Sequence, residues 1–456
     1  MTIRVLIADD SVVMRRMLSE VLASIPDVDV VGTASSGEDA VEKAHALRPD
    51  FMTCDIVMGA MDGIETVRAL RGAGHTMPIV MVSSLSTCGA EATLASLAAG
   101  ADDYVCKPRG TGGAEESRAY LRTELRARLS ALTSRRPSPR TDRVRATLAP
   151  PPTPKETQVR GTKGTRGTPA SRASWEPAPL SPGRGTVPPA PRVAAVTRVS
   201  VVPPRLSTPP SARASTWPST ASIAPQPRTS TFPVLRASAH PGGARSEAPH
   251  PSTSPAHVPT PSSPPSLLVI GSSTGGPSAL QEMLTGLGRD FPAPVLVVQH
   301  MPPLFTSVLA DRLARETGLN VVEAKDGMPL TRGGVLIAPG GRHLVVGKNT
   351  VQLIDGPPEN NSRPSVDVLF RSATLFGAGV TAVVLTGMGR DGLEGARALK
   401  QRGATVLVQS EATSVVWGMP GHVARAGLAD GALAPSELGA LLRRWGRLRR
   451  TPKEAR

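Results

Sequence analysis

Three residues far apart in the chain have the types needed for acyl transfer: Ser273, His300 and Asp391. A serine hydroxyl is scarcely ionised at neutral pH and needs a neighbouring base to act as a nucleophile. Imidazole titrates near that pH, so it can take the proton and return it. A carboxylate beside the ring fixes its tautomer and stabilises its charged form. Ser273 lies in Gly271-Ser272-Ser273-Thr274-Gly275, which matches G-x-S-x-G with Ser273 at the nucleophile position. The same turn could hold a helix-capping serine or cradle a phosphate. The order Ser…His…Asp differs from that of α/β-hydrolases, so the motif does not imply that fold. Each partner also has a plainer reading. His300 could be a loop histidine bonded to backbone, and Asp391 with Glu394 reads D-x-x-E, a capping box for the next helix. His343 is a competing base, ranked below His300 because it follows a glycine turn into a hairpin-like strand.

A second constellation lies near the N-terminus, where Asp9, Asp10 and Asp55 supply carboxylates, Ser83 a hydroxyl and Lys107 an ammonium. Crowded carboxylates repel unless a hard cation neutralises them, and Mg²⁺ takes such oxygen ligands. Acidic loop ends facing water would explain any one of these residues, but five at successive strand ends favour a site.

The elements that must position these groups are legible as periodicity. In the N-terminal part strands are expected at 3–8, 28–34, 50–54, 78–82 and 103–106, with helices at 12–24, 37–47, 64–71, 91–99 and 116–132. Five β-α repeats predict a flavodoxin-like (βα)5 domain, a doubly wound parallel sheet with its ligand site at the carboxyl ends of the strands. Order returns at Ser266. Strands are expected at 267–270, 295–299, 335–338, 381–385 and 405–408, with a hairpin from 343–346 and 351–354. Helices are expected at 278–287, 304–317, 364–376, 393–401 and 436–448, with Pro277 at the first helical position. This is a second doubly wound, mostly parallel α/β domain. Ser273, His300 and Asp391 each follow one of its strands, so one sheet edge can bring them together.

Residues 134–265 hold 29 of the 46 prolines, with Ser, Thr, Ala and Arg filling most of the rest. Such a segment cannot bury enough surface to offset its ordering entropy, and a disordered, proline-stiffened linker is expected. The domains are therefore 1–133, 134–265 and 266–456. The net charge of +15 invites a nucleic-acid reading, but residues 1–133 carry −5, the linker +14 and residues 266–456 +6. Residues 266–442 are neutral and show no helix-turn-helix, which argues against specific nucleic-acid binding. Nothing near Met1 resembles a signal peptide, and no apolar run approaches a membrane span, so a cytoplasmic protein without membrane insertion is expected. Three cysteines, an odd number without metal-ligand spacing, predict neither a disulfide nor a zinc framework.

The N-terminal part resembles the response-regulator receiver family over about 130 residues. The matching residues are the Asp9-Asp10 pair, Asp55, Met61-Asp62-Gly63, Ser83, Tyr104 and Lys107-Pro108. The resemblance implies that Asp55 accepts a phosphoryl group, that Asp9, Asp10 and Asp55 bind Mg²⁺, and that Ser83, Tyr104 and Lys107 form the switch. Gly59 departs from the pattern, where proline often follows the methionine, and could loosen the loop after Asp55. The C-terminal part is similar to the catalytic domain of chemotaxis-type protein-glutamate methylesterases over roughly 185 residues. Six motifs carry this: Gly271 to Pro277, Gln299-His300-Met301-Pro302, Ala338 to His343, Pro364-Ser365-Val366-Asp367, Leu385 to Gly392 and Gly418-Met419-Pro420. The resemblance implies Ser273 as nucleophile, His300 as general base, Asp391 as its orienting acid and the Met388 N–H in the oxyanion hole, with no cofactor in the esterase site.

Together these imply a phosphorylation-activated hydrolase of two-component signalling. It would demethylate and deamidate the cytoplasmic domains of methyl-accepting chemoreceptors, with a chemotaxis histidine kinase as phosphodonor. The alternative is a phosphorylation-controlled binding protein without catalysis, a receptor adaptor or a DNA-binding regulator.

Overall fold

Apolar runs covered on both faces become the central strands, as the sequence leads one to expect of parallel sheets. In this computed structural model residues 2–108, 113–133, 258, 261 and 263–448 are described. The expected linker lies almost wholly outside them.

The first sheet is built from β1 (Ile3–Ala8), β2 (Val28–Ala34), β3 (Phe51–Asp55), β4 (Ile79–Ser83) and β5 (Asp103–Cys106). All its pairings are parallel, in the order β2-β1-β3-β4-β5. Helices α1 (Val12–Ala23), α2 (Gly37–Leu47), α3 (Gly63–Gly72), α4 (Thr87–Ala99) and α5 (Ala114–Thr133) alternate with the strands. Local chemistry sets their starts. Ser11 caps α1, and Asp62 with Glu65 forms a capping box on α3. α4 begins four residues before the expected Glu91, because Ser86 accepts a bond from the Gly89 N–H at 3.0 Å.

The second sheet has seven strands, β6 (Leu267–Ser272), β7 (Val295–Gln299), β8 (Asn320–Glu323), β9 (Gly334–Ile337), β12 (Val380–Val384), β13 (Thr405–Gln409) and β14 (Gly431–Leu433). They pair in parallel in the order β14-β13-β12-β6-β7-β9-β8. β10 (His343–Val346) and β11 (Val351–Ile354) form the expected antiparallel hairpin beside it. The helices are α6 (Gly276–Leu287), α7 (Phe305–Thr317), α8 (Val366–Ala373), α9 (Leu393–Gln401), α10 (Met419–Arg425) and α11 (Pro435–Gly446). β8, β14 and α10 are short elements that periodicity did not separate from loop. α8 stops at Ala373, where the chain tightens into a 3₁₀ turn, instead of running to Phe376. The chain enters this sheet at β6, builds outward to β8 on one side, then returns to β12 on the other. β6 is therefore the switch point, where α/β sheets place their ligand sites.

The two sheets belong to one compact unit. α4 lies against α6 and α7, and a cleft between them is lined by Leu94, Leu97, Pro277, Leu309 and Leu313. Tyr104 and Phe305 stack across the junction with centroids 5.2 Å apart and an interplanar angle of 9°. The Thr274 hydroxyl donates to Asp103 Oδ2 at 2.7 Å.

The last helix seals the second core. α11 packs along α6, and Trp445 is buried in the cluster that holds Phe291 and Leu438. Trp445→Ala is expected to cost about 3–5 kcal/mol, the range for a buried large aromatic. A denaturant titration followed by far-ultraviolet circular dichroism checks this as a lowered midpoint.

Candidate active site and receiver pocket

β6 runs into a glycine-rich turn in which Ser273 is half-buried. Ser272 pairs in register with Gln299, and the His300 N–H donates to the Ser272 carbonyl at 3.0 Å. Ser273 follows β6 as His300 follows β7, so nucleophile and base candidates stand side by side just past the ends of adjacent strands. Gln299 fixes the turn. Its Oε1 accepts from the Ser272 hydroxyl at 2.7 Å and its Nε2 donates to the Ser273 carbonyl at 2.9 Å. The helix that follows, α6, starts at Gly275 without a side-chain cap, so Ser273 is not a capping residue. Among the described residues the Ser273 hydroxyl makes no hydrogen bond, and neither does the Met388 N–H. Gly387 packs so closely on the serine that a Cβ there would lie 2.8 Å from that of Ser273.

Asp391 follows β12, the neighbour of β6 on the other side. Its carboxylate is 2% exposed and accepts bonds from six donors. Oδ2 takes the Val366 N–H at 2.7 Å and His300 Nε2 at 2.9 Å. Oδ1 takes Ser365 Oγ, Asn360 Nδ2 and the N–H groups of Asp367 and Gly392, at 2.9 to 3.1 Å. Burial alone would raise its pKa. The bonds from His300, Val366 and Asp367 outweigh that and hold it at about 2. The capping box expected of Asp391 and Glu394 does not form. α9 starts at Gly392 without a side-chain cap, and the Asp391 carboxylate binds the first N–H groups of α8 instead. With Nε2 facing Asp391, Nδ1 is the nitrogen left to face a substrate, and it lies 3.4 Å from Ser362 Oγ. His343 is buried elsewhere, accepting the Ser365 N–H at Nδ1 and reaching the Pro357 carbonyl through Nε2 at 2.9 Å. Both its nitrogens are engaged, which removes it as a base.

In the first sheet, ligand oxygens of Asp9, Asp10 and Asp55 lie within 4.8 Å of one another. Lys107 Nζ is 2.7 Å from Asp55 Oδ2 and 3.3 Å from Asp9 Oδ2. Asp9 Oδ2 is buried without a well-aligned hydrogen bond, and burial with the Asp55 charge raises the Asp9 pKa above its ordinary value. A hard divalent cation would relieve both, so the donor set fits Mg²⁺. Ser83 is turned toward α4, where its hydroxyl accepts from Thr93 at 2.6 Å. Gly59 adopts φ 57°, a conformation closed to proline, so the loop after Asp55 runs differently from the proline-bearing pattern. Cys54 and Cys106 are buried, Cys88 is exposed, and no disulfide links them.

Two family models match the chain, CheB methylesterase over residues 268–442 and response regulator receiver domain over residues 5–113. The protein-glutamate methylesterase/protein-glutamine glutaminase of Nocardioides sp. is 41% identical over 453 residues, 98% of this chain and 96% of that protein. Its counterpart in Alkalilimnicola ehrlichii is 38% identical over 444 residues, 96% of this chain and 98% of that one. The chain belongs to this methylesterase family. It is a hydrolase with a receiver domain. The crystal structure of the Thermotoga maritima CheB methylesterase catalytic domain is 42% identical, covering 40% of this chain and 98% of that one, with a TM-score of 0.39. That of the T. maritima CheB response regulator domain is 37% identical, covering 30% and 100%, with a TM-score of 0.27.

Several residues of this methylesterase site were not singled out by sequence reasoning. Asn360 and Ser362 reach the site only through long-range contacts, and Gln299 lies in the Gln299-His300-Met301-Pro302 motif without chemistry assigned to it. Ser365 and Asp367 lie in a motif that carried family likeness but no assigned chemistry. Asp367, 2% exposed, is pushed up to about 6 by burial and by the Asp391 charge, against a bond from the Gly395 N–H. A raised carboxyl pKa penalises the folded state as pH rises from the ordinary 3.8 through about 6. Asp391 has the opposite sign, its contribution being present at neutral pH and lost as pH falls through about 2. Denaturant titrations at pH 4.5 and pH 8 should show the stability of Asp367→Asn relative to the parent improving toward pH 8, by on the order of 1–3 kcal/mol. An unchanged difference would mean that Asp367 does not titrate in this range.

Proposed function

We propose that the chain is a phosphorylation-activated protein-glutamate methylesterase and protein-glutamine deamidase acting on chemoreceptors. Residues 1–133 would be the receiver, 134–265 a linker and 266–456 the catalytic domain. The observation that carries the reading is the buried, six-donor Asp391 carboxylate, 2.9 Å from His300 Nε2, with Ser273 just past the end of the adjoining strand.

The His300 Nδ1 lone pair takes the Ser273 proton as Oγ attacks the ester carbonyl of a methylated glutamate. The oxyanion is met by the Met388 N–H. Collapse expels methoxide, which takes the proton from His300 and leaves as methanol. Water, deprotonated by the same imidazole, then cleaves the acyl-serine to release glutamate and restore Ser273. With glutamine the leaving group is ammonia and the other steps are the same. Asp391 keeps Nε2 protonated throughout and stabilises the imidazolium.

The receiver controls access. Thr274, next to the nucleophile, is bonded to Asp103, while Met388 and Val415 pack against the apolar cluster that includes Leu121 and Leu125 of α5. Unphosphorylated, the receiver covers the site. Asp9, Asp10 and Asp55 would hold Mg²⁺, which neutralises the charge of an incoming phosphoryl group. A phosphoryl on Asp55, given by the chemotaxis histidine kinase, competes for Lys107 and offers Ser83 a new acceptor. Tyr104, stacked on Phe305, sits where such a rearrangement loosens the junction.

Ser273→Ala should lower methanol release from methyl-labelled receptor membranes by on the order of 10⁴-fold or more. Near-parent activity would remove Ser273 as nucleophile. Asp55→Asn should abolish stimulation by acetyl phosphate, and stimulation that persists in this variant would remove the receiver as the control element.

A further inference from the structure

Behind His300 lies a second buried carboxylate that the ester-cleavage steps do not use. Asp367 and Asp391 both accept from one atom, Asn360 Nδ2, at 2.8 and 3.0 Å. We propose that Asn360 and Asp367 are positioning residues for ester cleavage, with Asn360 bridging the Asp367 and Asp391 carboxylates so that the pair acts as one counter-ion to His300. This rests on the Ser-His-Asp reading above.

Two ionised carboxylates in contact repel, and burial strengthens the repulsion. Ionised carboxylates only accept, so both contacts require N–H groups, and a primary amide has two on one nitrogen. Serine has a single hydrogen to give, aspartate none, and lysine would add a charge. The backbone suits the assignment. Asn360 has φ 51°, in the left-handed region that asparagine tolerates, and the next residue, Asn361, has φ 60°. Backbone bonds of 3.1 and 3.0 Å between Glu359 and Ser362 pinch the loop at this point. Arg371 clamps Glu359 through two bonds of 2.6 Å, which holds the amide over the pair.

The pair is asymmetric. Asp391 has six donors, whereas Asp367 has the bridge and the Gly395 N–H. On acidification the proton therefore goes to Asp367 and leaves Asp391 charged beside the ring, in line with their raised and lowered pKa values. Other charged groups near the pair are accounted for. Arg371 of α8 is tied to Glu359, Glu394 of α9 pairs with Arg397, and His343 of β10 is held by Ser365 and Pro357. Arg363 of the loop bonds the Gly356 carbonyl, and Arg390 is exposed. His300 is the ring bonded directly to the pair, and the Arg371 guanidinium also feels both carboxylates.

The test is the pH dependence of methanol release by the full chain, from methyl-labelled receptor membranes with acetyl phosphate and Mg²⁺. Each variant is compared with the parent at the same pH, so the receiver's own titration cancels. Asn360→Ala removes a donor from both carboxylates and leaves their charge less screened. Its acid limb in kcat should move up by ~0.5–1 pH unit, with kcat down about tenfold and KM within about twofold. Asp367→Asn removes one charge, so its limb should move down. The double variant should follow Asp367→Asn. A structural role would lower the rate at every pH without moving the limbs in opposite directions. Limbs that stay at the parent position overturn the proposal, and if Asp367→Asn fails to fold, the limb of Asn360→Ala decides alone. Ser273→Ala run alongside separates the two failures. If it is inactive while the limbs stay fixed, only the bridge is wrong, and if it is active, the triad reading itself falls.

Discussion

The catalytic half is organised around a negative charge removed from water. A buried carboxylate is tolerated only when its lone pairs are met, and Asp391 draws donors from β7, from the loop at Asn360 and from the start of α8. His300 comes from a different part of the chain than the loop and α8, which are neighbours in sequence. The same bonds set the imidazole plane and keep α8 against the sheet. α8 carries no side-chain cap from its own N-cap residue, and it needs none because the carboxylate takes its first N–H groups. Catalytic geometry and local folding are thus one problem with one solution.

What the sequence made legible was what repeats or alternates locally. The buried strands β6, β7 and β12 were readable as apolar runs, and their order of use pointed to a shared edge. The three reactive side chains were readable because each follows such a run. Short pieces were not. β8 and β14 are edge strands with three or four residues, too short for periodicity to separate from loop. Asn360 gave no signal, because its role depends on two carboxylates, one of them 31 residues along the chain. Asp391 shows the limit most clearly. D-x-x-E before a helical run is a sound local pattern for capping, yet a tertiary contact with α8 took the carboxylate first. The serine turn failed as a cap for a similar reason, since Gly275 already occupies the start of α6.

The receiver was legible for a different reason. Its candidate groups sit at or just past the ends of β1, β3, β4 and β5, where the chain has little freedom, so residue type and strand position together locate them. The junction with the catalytic half was not legible. Thr274 and Asp103 are 171 residues apart and meet only because two separate sheets come together. Neither residue differs in type from an ordinary turn threonine or strand-end aspartate.

The Tyr104–Phe305 stack limits how leaky the proposed switch can be. Aromatic pairs gain about 0.5–1.5 kcal/mol from ring geometry beyond the area they hide. The surface each ring would wet on separation adds to the bias toward the joined state. A bias of about 3 kcal/mol corresponds to an open fraction below roughly one per cent. Under the proposed switch, background turnover would be throttled by the wetting of two rings, and exchanging one aromatic side chain would retune it without touching the chemistry.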